Sequence, residues 1–146
     1  MIFLQTSPQL ILTDIEKIET ELNIIFPPEF KLHYLQYNGG YPERDVYSWQ
    51  DGGRTTINTF SSLKYSGFNS LEDTYKDLIL LENYLPTGIV PFATDDGGNF
   101  FCISSRPVDF GCIYYCNNDH YNIYNHEECL LLLERSFKTF IENLSR

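Results

Sequence analysis

Apolar residues first fall into a helical rhythm at Ile15, Ile18 and Leu22, with Glu16, Lys17, Glu19 and Glu21 set outside the stripe. Thr13-Asp14-Ile15-Glu16 reads as a capping box at the start of that helix, which ends around Asn23. Pro27 and Pro28 suit the first turn of a second helix, where a missing N–H costs nothing. Its apolar surface comes from Phe30, Leu32, Leu35 and Tyr37, and Asn38-Gly39-Gly40 supplies the stop. From Tyr41 to Gly53 the pattern breaks into a loop with room for one short strand.

Strand-like alternation begins at Thr55 and runs to Leu63. Ser70-Leu71-Glu72-Asp73 opens a third helix carrying Leu71, Tyr75, Leu78 and Ile79 on one face, with Pro86 beyond its end. Strands follow at Ile89 to Ala93, Phe100 to Ser104, Gly111 to Cys116 and Cys129 to Leu133. Asp95-Asp96-Gly97-Gly98-Asn99 forms a hairpin turn between the first two, projecting both aspartates into solvent. Ser136 caps a closing helix with Phe137, Phe140, Ile141 and Leu144. Helices at both ends of a strand-rich middle predict an α+β fold: one antiparallel-rich sheet packed by the N-terminal helices and the C-terminal helix. Neither a repeat nor a linker divides the chain, so residues 1–146 are expected to form a single domain.

Composition changes this picture in two ways. Aromatic residues make up 16% of the chain, including 11 Phe and 11 Tyr, so the core is built of large rings. The formal charge is −10, and the ten Lys and Arg are scattered singly. Such a field repels phosphate backbones, which argues against nucleic acid as a partner, and it speeds encounters with basic proteins. The N-terminal residues lack a signal-peptide pattern and no stretch is long enough to span a membrane, so a cytoplasmic, membrane-free protein is expected.

Candidate chemistry is sparse. Cys102, Cys112, Cys116 and Cys129 have no metal-knuckle spacing and are expected to be buried thiols, although their number permits a disulfide. His120 and His126 lie among Asp119, Glu127 and Glu128, but chance clustering in a polar turn explains them better than a metal site. The Asp95–Asn99 turn lacks the alternating ligands and terminal Glu of a calcium loop. Without a nucleophile motif or a phosphate loop, neither enzymatic activity nor a cofactor is expected.

Three ordered blocks carry a family resemblance. Residues 15 to 43 resemble the opening of the SUKH superfamily (the Smi/Knr family) through Phe26, Pro27, Phe30, Leu35, Asn38, Gly39 and Gly40. Residues 88 to 104 are similar to its strand–turn–strand at Pro91, Phe92, Ala93, Asp96, Gly97 and Asn99. Residues 134 to 144 resemble its last helix at Ser136, Phe137, Phe140 and Leu144. Bacterial members are commonly immunity proteins that bind a polymorphic or contact-dependent toxin, often a basic nuclease; fungal relatives are scaffolds in cell-wall signalling. The resemblance therefore implies a protein-binding role, with a cognate toxin as partner and a regulatory scaffold as the alternative. The motif positions themselves read as structural, with Gly39, Gly40 and Gly97 serving backbone geometry. The match is weakest between Tyr41 and Leu85, where partner choice is expected to be encoded. For their expected exposure, Tyr47, Trp49, Asp51, Asp95, Asp96 and Asp119 are the candidate partner-binding residues.

Overall fold

A computed structural model describes residues 1–65 and 70–146; residues 66–69, inside the weakly matching stretch, lie outside it. The first helix, α1, spans Leu12–Leu22. Its N-cap is Ile11, whose N–H donates to the Asp14 carboxylate at 3.0 Å, so the first turn is closed by Asp14 and Thr13 lies inside the helix. Leu10 and Ile15, both buried in the same core, occupy the positions of a hydrophobic staple. Asn23 ends the helix in the left-handed conformation, at φ 56°. Glu19, expected outside the stripe, is buried instead. Its carboxylate accepts the Phe26 N–H at 2.7 Å and pairs with Lys31 at 3.1 Å, so it satisfies an amide that the turn into α2 (Pro28–Gln36) would leave unpaired.

Beyond α2 the chain is latched at Asn38. This buried side chain donates to the carbonyls of Pro8 and Leu63, at 3.1 and 2.9 Å, and accepts the Leu63 N–H at 2.8 Å. Gly40, at φ +97°, leaves no room for a side chain: a Cβ there would stand 2.4 Å from the Leu4 carbonyl oxygen. That closeness lets β1 (Phe3–Leu4) pair with β2 (Tyr41–Pro42) in a small two-stranded sheet.

The main sheet is a six-stranded antiparallel meander of β3 (Val46–Ser48), β4 (Arg54–Phe60), β5 (Ile89–Asp95), β6 (Phe100–Ser104), β7 (Ile113–Cys116) and β8 (Leu130–Glu134), in that order. The single loop expected from Tyr41 to Gly53 thus contains two short strands. Helix α3 (Leu71–Tyr75) starts at Ser70, whose hydroxyl accepts the Asp73 N–H, and runs on as π-helical turns over Lys76–Leu81. β5 is buried at both parities, which means that both of its faces are covered. Phe92 packs edge-on against Phe30 and Phe137 at 5.9 and 5.6 Å. The closing helix α4 (Phe137–Glu142), capped by Ser136, drives Phe140 against Phe92 and Phe101 at 5.8 and 5.4 Å. The sheet curls far enough that Tyr47 of β3 reaches Glu134 of β8, donating at 3.0 Å, while Val46 bridges to Ser145 after α4. The architecture is the expected α+β one, with its rings gathered between α2, α4 and the sheet.

Candidate functional site

Three connections meet at one end of the curled sheet. The β3–β4 turn is tied by Trp49 N–H to Gly53 O at 2.7 Å and by Gly53 N–H to the Asp51 carboxylate at 2.9 Å. The β5–β6 turn is organised by Asp95. Its carboxylate accepts the amides of Gly97 and Asn99 at 3.0 and 2.9 Å, the Thr55 hydroxyl at 2.9 Å, and the Tyr115 hydroxyl. Gly98, not Gly97, adopts the positive φ the turn needs, at +81°. The β7–β8 loop is fastened across: Asn118 N–H donates to Asn99 Oδ1 at 2.9 Å and its amide group to Gly98 O at 3.0 Å. Tyr84, at the end of the π-helical segment, steadies the same loop by donating to Asn118 at 2.8 Å and stacking on Tyr121 at 4.1 Å.

These connections enclose a groove of about 630 Å³, lined among others by Trp49, Asp51, Asp95, Tyr115, His120 and Glu128. Its charge is net negative, with Asp51, Asp95 and Glu128 set against Arg54. Aromatic edges stiffen its wall: Trp49 meets Tyr47 and Tyr115 in T-shaped contacts at 5.8 and 5.2 Å. The Trp49 indole N–H is buried and finds no acceptor among the described residues. Two larger clefts, of about 720 and 910 Å³, contain none of the six sequence-predicted residues.

The six therefore converge on one end of the fold, though not in the role foreseen for each. Trp49, Asp51 and Asp95 line the groove, while Asp96 and Asp119 are exposed beside it, next in sequence to Asp95 and His120. Tyr47 and Asp95 were expected to be exposed, and both are buried, at 4% and 3%. Tyr47 is a pillar: its ring stacks on Phe140 at 5.5 Å and its hydroxyl donates to Glu134, with burial first and then that bond pushing its ionisation up. Asp95 turns inward because the turn's free amides and two hydroxyls need an acceptor. Burial works to raise its carboxyl, but the bonds from Tyr115, Asn99 and Thr55 prevail and hold it below the usual range.

Tyr115 and Arg54 also line the groove and escaped the sequence reading, and Glu128, weighed there only as a neighbour of His120 and His126, joins them. They come from strands and a loop whose adjacency depends on long-range register, for which local patterning holds no signal. The one usable cue was the alternation of β7, which sends Tyr115 and Tyr114 to opposite faces. His126 turns to the Ile123 carbonyl at 2.9 Å, while His120 lines the groove. Among the described residues no three His, Cys, Asp or Glu side chains gather as a metal-binding group.

The profile of the SMI1 / KNR4 family (SUKH-1) matches residues 12–143. The chain belongs to that family. Among curated proteins none matches it. The match takes in α1 through α4, so the residues of the Asn38 latch, the meander and the groove all lie within it. Among the described residues of this SUKH-1 chain, no helix is long and apolar enough to cross a membrane.

Proposed function

We propose that this SUKH-1 protein is a cytoplasmic immunity protein that binds a cognate toxin, without catalysis, at the groove end of its sheet. The observation that carries the reading is the groove itself. Fixed aromatic edges sit inside a rim where Asp51, Asp96, Asp119 and Glu128 are exposed. Rigid rings surrounded by charge are the makings of an interface centre and its polar border. With a net charge of −10, the partner it suits is basic, as a toxin that handles nucleic acid must be. The acidic rim then occupies the toxin's basic face in place of a phosphate backbone.

The test is co-expression with candidate toxin domains, beginning with any encoded near this chain in its genome. Protection of the host, together with a one-to-one complex, supports the reading. Continued killing in cells that hold well-folded protein overturns it, and a stable complex with a non-toxic cellular protein would favour the regulatory role of the scaffolding relatives.

A further inference from the structure

The β7–β8 loop that walls the groove leaves the sheet through a neck made by two cysteines. Cys116 ends β7, and Cys129 immediately precedes β8. The ladder fixes them side by side: Cys116 is in register with Leu130, and Asn117 N–H donates to the Cys129 carbonyl at 3.2 Å. Their sulfurs are 3.1 Å apart, and both side chains are buried. A disulfide bond is about 2.05 Å long, so closing it needs only about 1 Å of sulfur movement and no rearrangement of the strands.

The two thiols are not equivalent. The two thiols are hydrogen-bonded to each other, an arrangement that raises Cys116 and lowers Cys129, making Cys129 the sulfur that ionises first. Cys129, although only 3% exposed, belongs to the lining of the groove, which is the side from which a molecule as small as a peroxide would reach it. Burial pushes up both Cys102, which is fully enclosed, and Cys112.

We infer that Cys116 and Cys129 are a peroxide-oxidisable dithiol whose disulfide locks the neck of the Asn117–Glu128 loop. Cys129 thiolate attacks one peroxide oxygen, the O–O bond breaks, and the departing hydroxide takes up the thiol's proton as water. The resulting Cys129 sulfenic acid is then attacked by Cys116 sulfur. The S–S bond forms, the S–O bond breaks, and a second water leaves with the Cys116 proton. Two thiols are oxidised by two electrons and one peroxide is reduced to two waters. This inference depends on the placement of the sulfurs and stands whatever partner fills the groove.

The test treats the reduced full-length chain with hydrogen peroxide, followed by maleimide counting of thiols after denaturation and by peptide mass mapping. Labelled thiols are expected to fall from four to two, with the Cys116 and Cys129 peptides linked and dithiothreitol restoring all four. Cys116→Ser is expected to stop at a dimedone-reactive Cys129, whereas Cys102→Ala and Cys112→Ser still form the link. Retention of four thiols, a link that includes Cys102 or Cys112, or over-oxidation of Cys129 in the wild-type chain overturns the inference.

Discussion

At the Asn38–Gly40 corner polar groups turn inward: one buried amide side chain serves three backbone partners and the glycine lies against a carbonyl. At the groove end, carboxylates of small-residue turns remain exposed at Asp51, Asp96 and Asp119. Polar chemistry that closes on itself yields stability, and polar chemistry left open is free for a partner. Asp95 belongs to both kinds, lining the groove while accepting from four residues. The difference predicts that substitutions at the closed corner cost folding and that those at the open end cost binding.

The largest break is expected from Gly40→Ala. The new Cβ would meet the Leu4 carbonyl at 2.4 Å, at a φ of +97° that L residues rarely adopt. A loss of roughly 3 kcal/mol or more should appear in urea unfolding. A change below about 1 kcal/mol would mean that the corner is loose.

His33 tests the same closed region through pH. Its ring packs between Phe3 and Phe137 at 4.7 and 5.1 Å, Nε2 has no partner among the described residues, and burial lowers its pKa to about 4. The folded value lies below the unfolded one of about 6.5, so the unfolded chain takes the proton first as pH falls. Stability should therefore be undiminished above about pH 6.5 and drain away towards pH 4, by roughly 3 kcal/mol at the end. His33→Phe should flatten that decline, and equal slopes in the two proteins would contradict the account.

Asp95→Asn sharpens the comparison at the residue that serves both ends. Exchanging a carboxylate that accepts from four residues for an amide should cost roughly 2 kcal/mol. The folded carboxyl is held below its ordinary value, so its contribution is complete above about pH 4 and is lost as pH falls through the folded value. The variant should lack that acid limb. A neutral effect at pH 7 would place Asp95 with the open residues.

How far this division could be read beforehand differs between the two ends. The closed corner was legible because Asn-Gly-Gly after a helix is a local signal and the surrounding family motif is structural. The helices and all but the shortest strands were legible through period and caps, even though Asp14 displaced the expected Thr13 cap. The π-helical continuation at Lys76–Leu81 was hidden, because its apolar spacing also fits an ordinary helix. At the open end, acids and aromatics marked the right turns. Which of them faced inward depended on partners brought from elsewhere: the donors Thr55 and Tyr115 for Asp95, and the acceptor Glu134 for Tyr47. Exposure is set by such long-range partners, and a turn's own residues do not reveal it.

The smallest expected effect on folding belongs to Asp51→Asn, Asp96→Asn and Asp119→Asn combined, within about 0.5 kcal/mol in urea unfolding. That combination also carries the most direct test of the central claim, the stopped-flow association rate, across a salt series, with the toxin domain that co-expression identifies. A matched control removes the same charge from exposed Glu16, Asp73 and Asp77 on the α1–α3 side. The groove triple should associate on the order of tenfold more slowly at low salt and lose much of the salt dependence, with the control close to wild type. Equal rates for the two triples would assign the effect to net charge alone and contradict a binding site at the groove.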